Sequence, residues 1–334
     1  RLLFFPARLS ADYSPNFLPA AAELTLRGAA GFAVLGLALA LAVRARRHAP
    51  TITLGLAWIG GTLLIVSNLI VPTGVLLADR TLYLPSVGAV LMIGWLVAWT
   101  EASWRHAGVG LATLLLGLGL VRAMTRVDVW RDNGRFFPQL VRDAPGSYRS
   151  YWGAGALAYD SGDRARGEVL IRRAIVVYPL HPRVWESLAY QLEKDGRWLE
   201  AAQRFKAAFT LDSMEVADAL LAVRNYLRAG MVDSASGLAA RLAVSFANDP
   251  GYYAAMAEVD SARGRLVAAM MWRRRVAWRF PRAWQSWYLT AQAAFAARYC
   301  WEARRSTDRV RVLRPDLPHL AELERRLREL GCGH

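Results

Sequence analysis

The sequence predicts an all-α protein in which polytopic transmembrane helices are followed by an α-solenoid. Two patterns carry this reading. Apolar segments too long for a soluble core fill the first 123 residues, and a 34-residue period then runs without insertion from Tyr148 to Leu317. A third observation supports it: the repeat region has no period-two alternation of apolar and polar residues, as half-buried strands would show.

The composition divides the chain the same way. It is 334 residues long and 54% hydrophobic, too apolar for a plain repeat protein. Only Asp12, Glu23, Asp79 and Glu101 are acidic before residue 124. Residue 1 is Arg, inside the apolar stretch RLLFFPARL, with neither the n-region nor the cleavage site of a signal peptide. The chain is therefore expected to be the C-terminal piece of a longer protein.

A membrane-spanning helix needs roughly 20 apolar residues, with a range near 17–25. Four segments qualify within 1–123, near 26–43, 51–67, 82–100 and 107–123. The first is closed by Arg44, Arg46 and Arg47, the densest short basic loop, which should face the cytoplasm. Pro72 and Gly74 break the uncharged run after the second, so 68–84 is expected to be irregular backbone at the membrane surface. An even span count then places everything after about 124 on the far side, the periplasm of a bacterium with the spans in its inner membrane. Trp95, Trp99, Trp104 and Trp130 near span ends read as interfacial anchors.

Residues 124–147 read as a linker helix near 127–143. Repeats then start at Tyr148, Pro182, Val216, Pro250 and Trp284. The fourth position holds Tyr151, Trp185, Ala219, Tyr253 and Trp287, a wedge between helices. The eighth holds Gly155, Ala189, Val223, Ala257 and Ala291; the twentieth holds Gly167, Ala201, Ala235, Ala269 and Ala303. Small residues there let two helices cross closely. The fifteenth is Gly162, Gly196, Gly230, Gly264 and Arg298, where the hairpin turns. Pro179, Pro281 and Pro315 stand at position thirty-two and end the second helix. This is the tetratricopeptide (TPR) pattern, five repeats over 148–317. Residues 318–334 supply an amphipathic capping helix, as the end of a solenoid requires.

Three far-side segments do not read as ordinary connectors: LSADYSP at 9–15, VSNLIVPTG at 66–74 and ADRTLYLPSVG at 78–88. A charge at membrane depth is costly and marks a functional site by default. Arg80 follows a 30-residue uncharged run at 49–78 and precedes Tyr83. A guanidinium there suits bidentate contact with a phosphate. The plainer reading is that Arg80 snorkels or pairs with Asp79. Asp12, Tyr13 and Asn68 are further candidate loop contacts.

These segments carry a resemblance. The run SN-x5-G-x3-ADR-x-LYLPS-x-G, from Ser67 to Gly88, resembles the membrane domain of the transmembrane-and-TPR-repeat-containing O-mannosyltransferases, and LSADYSP resembles the luminal segment before it. That family usually has Glu where Asp79 stands. The resemblance implies a GT-C glycosyltransferase fold. It also implies a polyprenyl-phosphate sugar as donor substrate, with Ser or Thr of a protein as acceptor. It assigns Arg80 and Tyr83 to the donor phosphate. The family's catalytic carboxylate belongs to an earlier loop, so the catalytic residues are unknown, and this chain by itself is not expected to transfer sugar. Asp12 matches a later loop and is not assigned as catalyst.

The net charge is +15, with 42 Lys and Arg of which only Lys194 and Lys206 are Lys. Such an Arg bias reflects a GC-rich genome, which removes charge as an argument for nucleic acid. Between Arg263 and Arg314, 13 Arg face only Glu302 and Asp308. That stretch reads either as a solvated face or as a site for an acidic peptide or anionic headgroup. Two cysteines and five scattered histidines give no metal site. Cys300 and Cys332 lie at similar turns of adjacent units, where an oxidising compartment permits a bond. Expected partners are membrane lipid, a lipid-linked sugar donor and a protein or peptide in the TPR groove, with no cofactor. A non-catalytic TPR adaptor for envelope assembly and a TPR-fused O-antigen-ligase-type transferase are the alternatives.

Overall fold

A computed structural model describes residues 25–66, 79–104 and 106–331, leaving the side chains of Arg27, Val66, Asp79 and Arg80 outside the description. The described chain is all-α. It falls into two compact units, Arg1–Pro179 and Leu180–His334.

The first unit opens with four apolar helices: α1 (Leu26–Ala45), α2 (Pro50–Val66), α3 (Tyr83–Ser103) and α4 (Ala107–Val127). Among the described residues, three are long and apolar enough to cross a membrane: Gly28–Ala45, Tyr83–Ser103 and Ala107–Trp130. Helix α2 has 17 residues and is apolar throughout, but falls short of the others.

Small residues and backbone acceptors hold these helices together. A Cβ on Gly55 would stand 2.7 Å from the Gly88 carbonyl oxygen, so α2 and α3 touch backbone to backbone. Trp58 Nε1 donates to the Leu84 carbonyl at 2.9 Å, and Thr53 Oγ1 donates to the Ala42 carbonyl of α1 at 2.9 Å. The Glu101 carboxylate accepts from the backbone N–H groups of His106 and Val109, each at 3.1 Å, and so caps α4.

A 3-10 turn (Asp128–Trp130) leads into α5 (Asn133–Asp143). Asp132 caps α5 by accepting from the Arg135 N–H at 2.9 Å. Arg126 Nη1 meets Asp143 Oδ2 at 2.8 Å, tying the end of α4 to the end of α5. The first repeat follows as α6 (Tyr148–Asp160) and α7 (Arg164–Val177), with the Phe137 ring of α5 seated on Gly153.

The second unit holds the other four repeats. They are α8 (Pro182–Lys194) with α9 (Trp198–Leu211), α10 (Val216–Arg228) with α11 (Val232–Phe246), α12 (Pro250–Ala262) with α13 (Leu266–Arg279), and α14 (Trp284–Ala296) with α15 (Cys300–Leu313). The cap is α16 (Leu320–Glu329). Every first helix begins at the first residue of the sequence period. The small residues at positions eight and twenty are buried in all five repeats. The turn glycines Gly162, Gly196, Gly230 and Gly264 have φ of 96°, 75°, 75° and 74°; Arg298 adopts the same left-handed turn at 52°. Helix α11, followed by Ala247 at position thirty-two, has 15 residues against 14 in each of the other four second helices. Cys300 is disulfide-bonded; Cys332 lies outside the described residues.

Candidate functional site

Of the membrane-site residues read from sequence, Asp12, Tyr13 and Asn68 lie outside the described residues. The Arg80 backbone sits in a 3-10 turn, Asp79–Leu82, that runs directly into α3. Tyr83 opens α3 with 78% of its surface exposed. The turn after it is firmly built. Pro85 is buried, Ser86 Oγ donates to the Tyr83 carbonyl at 2.6 Å, and the Trp58 indole holds Leu84 from α2. Pro near a helix start is favourable because no N–H is lost there. The segment that carries Arg80 is thus anchored on one side to a packed helix pair.

In the second unit the first helices bear an acidic group. Asp218 on α10 is 3% exposed, and its Oδ2 has no hydrogen-bond partner. Burial first, then the carboxylates of Glu186 and Glu215, push its carboxyl up to about 7. Burial also raises Glu186 on α8, against Arg183 at 4.0 Å. Farther along, Glu193 on α8 accepts from Arg228 Nη1 at 2.7 Å and lies 3.4 Å from Arg224 Nη2, both on α10. The Arg count in the sequence concealed this acidic island. Glu186 and Asp218 lie 32 residues apart in sequence, and their side chains meet only across neighbouring repeats.

The second helices of the last two repeats are basic and aromatic. Trp287, expected as a wedge, is 2% exposed, and its indole donates to the Pro281 carbonyl at 3.0 Å. Trp185 at the same position is only half-buried, with the Arg204 guanidinium 5.6 Å above it. Among the described residues no group of three or more His, Cys, Asp or Glu is placed to hold a metal.

Two curated relatives resemble the chain. The Drosophila melanogaster protein O-mannosyl-transferase Tmtc2 is 28% identical over 167 residues, 49% of this chain and 14% of the relative. Tmtc1 of the same organism is 38% identical over 99 residues, 28% of this chain and 11% of the relative. The chain is a TPR-containing protein with local similarity to the Tmtc O-mannosyl-transferases. It spans a small part of their length, and no protein-family model matches it. Among solved structures, YrrB, a TPR protein with an unusual peptide-binding site, aligns with TM-score 0.46 at 12% identity, covering 57% of this chain and 97% of YrrB. Pseudomonas aeruginosa PilF aligns with TM-score 0.44 at 17% identity, covering 64% of this chain and 96% of PilF.

Proposed function

We propose that the chain is the acceptor-presenting part of a membrane protein O-mannosyltransferase with a GT-C-type membrane domain. Its donor is a polyprenyl-phosphate sugar, and its repeats bind the protein that receives mannose on Ser or Thr. The local similarity to two O-mannosyl-transferases carries this reading. The union in one chain of apolar helices and TPR repeats supports it. In this scheme Arg80 holds the donor phosphate at the membrane surface and Tyr83 stands beside it. A planar guanidinium offers paired donors to a phosphate, which an ammonium cannot. The repeats face the extracytoplasmic side, where a disulfide at Cys300 persists.

The test is photolabelling of the full chain in proteoliposomes with a photoreactive polyprenyl-phosphate mannose. Label should map to the peptide around 79–90, and unlabelled donor should compete where free polyprenol does not. A charge-assisted contact contributes roughly 1.5–3 kcal/mol, so Arg80→Ala should weaken labelling by about 10–100-fold, with Arg80→Lys recovering part. Equal labelling of wild type and Arg80→Ala would leave the non-catalytic adaptor as the better reading.

A further inference from the structure

The Arg-rich faces of α13 and α15 differ from the rest of the second unit. Other Arg side chains of that unit meet carboxylates, on these two helices as well: Arg228 with Glu193, Arg273 with Glu258, Arg274 with Glu302 and Arg311 with Glu324. On this face Arg275, Arg279, Arg305 and Arg309 have no carboxylate partner among the described residues. Three of them stack on rings instead. Arg275 lies 4.4 Å from the Trp272 ring centroid, Arg305 lies 5.2 Å from Trp301 and 5.6 Å from Trp278, and Arg309 lies 5.6 Å from Trp287. A stacked guanidinium keeps its in-plane N–H donors open for an oxyanion.

Two of the indoles that carry this lattice are themselves in water, while Trp287 is buried. Trp278 is 53% exposed and Trp301 is 58% exposed. Beside Trp278 an open hollow of about 710 Å³ is lined by Asn248, Tyr253, Arg275, Trp278 and Arg279. Open donors and half-exposed indoles on one surface match the headgroup layer of a bilayer. There phosphates accept from Arg, and Trp rings leave water without leaving hydrogen-bonding partners. An acidic peptide would also answer the guanidinium groups, and the experiment below separates it from a headgroup. The same chain carries helices apolar and long enough to cross a membrane, which makes a bilayer the occupant to test first.

We infer that the α13–α15 face is a docking surface for anionic phospholipid headgroups, with the hollow at Arg275 and Arg279 taking a phosphate. This does not depend on glycosyl transfer. Its test is hydrogen exchange of residues 266–313 in the full chain, held in nanodiscs of phosphatidylcholine alone or mixed with phosphatidylglycerol. Three cations at an anionic surface together favour association by about 100-fold. Exchange in α13 and α15 should therefore slow about tenfold or more in the anionic discs, and high salt should reverse it. Arg275→Gln with Arg279→Gln and Arg305→Gln should abolish the difference; if the triple variant melts early, the exposed pair Arg275→Gln and Arg279→Gln should still halve it. Equal exchange in both lipids, or a difference untouched by these substitutions, overturns the proposal. So does stronger protection by soluble polyglutamate than by the anionic discs, which would make this a peptide face.

Discussion

Gly155 and Gly167 cross so closely that a Cβ on either would stand 2.9 Å from the carbonyl oxygen of the other. A Cβ on Gly155 would also meet Ile171 Cγ1 at 2.6 Å. The same two positions hold Ala189 with Ala201 and Ala291 with Ala303, all fully buried. Gly155→Ala gains up to about 1 kcal/mol of helix propensity. Against it, overpacking costs about 1–3 kcal/mol. The variant should be destabilised, and Gly155→Ala with Gly167→Ala more so. Thermal unfolding at fixed pH measures it; an unchanged or raised Tm would show that the first repeat relaxes freely.

Arg298 stands where the other four repeats have glycine, yet it keeps the turn. The Tyr299 N–H still donates to the Ala294 carbonyl at 2.9 Å, as Arg197 does to Leu192 in the second repeat. A left-handed non-glycine residue costs roughly 1–2 kcal/mol. Part of that returns as unfolded-state entropy when glycine replaces it. Arg298→Gly should therefore stabilise the protein by up to about 1 kcal/mol. Gly230→Ala, at φ 75°, should destabilise it by about as much. Urea midpoints at constant m-value separate the two, and a fall in both would refute the strain argument.

Asp218 gives the fold a pH dependence. Its carboxyl is raised from 3.8 to about 7 in the folded protein. Between those values the folded state holds a proton that the unfolded chain has released. Stability therefore falls as pH rises across the window and levels off above it. Glu186, also raised, acts in the same direction. The wild type should melt several degrees lower at pH 8 than at pH 5, and Asp218→Asn should remove most of that difference. If the variant keeps the wild-type slope, other groups carry it.

Sidedness turns on α2. If its 17 residues cross the membrane together with α1, α3 and α4, the repeats lie opposite the Arg44–Arg47 loop; if α2 lies in the interface, they lie on the same side. The expected outcome is that α2 crosses, since its described residues are apolar throughout. Alkaline phosphatase fused after residue 334 should then be active in a bacterial host, and Cys300 should resist alkylation until reduced. An inactive fusion, with a cytoplasmic reporter active at the same site, would reverse the topology.

The sequence by itself determined the repeat frame. Each first helix begins at the predicted residue, because wedge, small residue, turn and stop are all local signals that recur every 34 residues. It also marked the apolar helices, since span length and hydropathy need no partner. The helix read at 51–67 matches α2 over its described residues, Pro50–Val66. The membrane-surface motif was legible only as residue types. The turn bearing Arg80 takes its position from Trp58 and Gly55, on another helix. The packing of the folded chain settled how deep each wedge lies, with Trp287 fully inside and Trp185 half-buried. It alone paired Asp218 with Glu186 and laid Arg305 across Trp278 from the next repeat. The frame is written within single repeats. These contacts lie between repeats, where side chains far apart in sequence meet, and their charge and burial follow from the packing of neighbouring helices rather than from any local pattern.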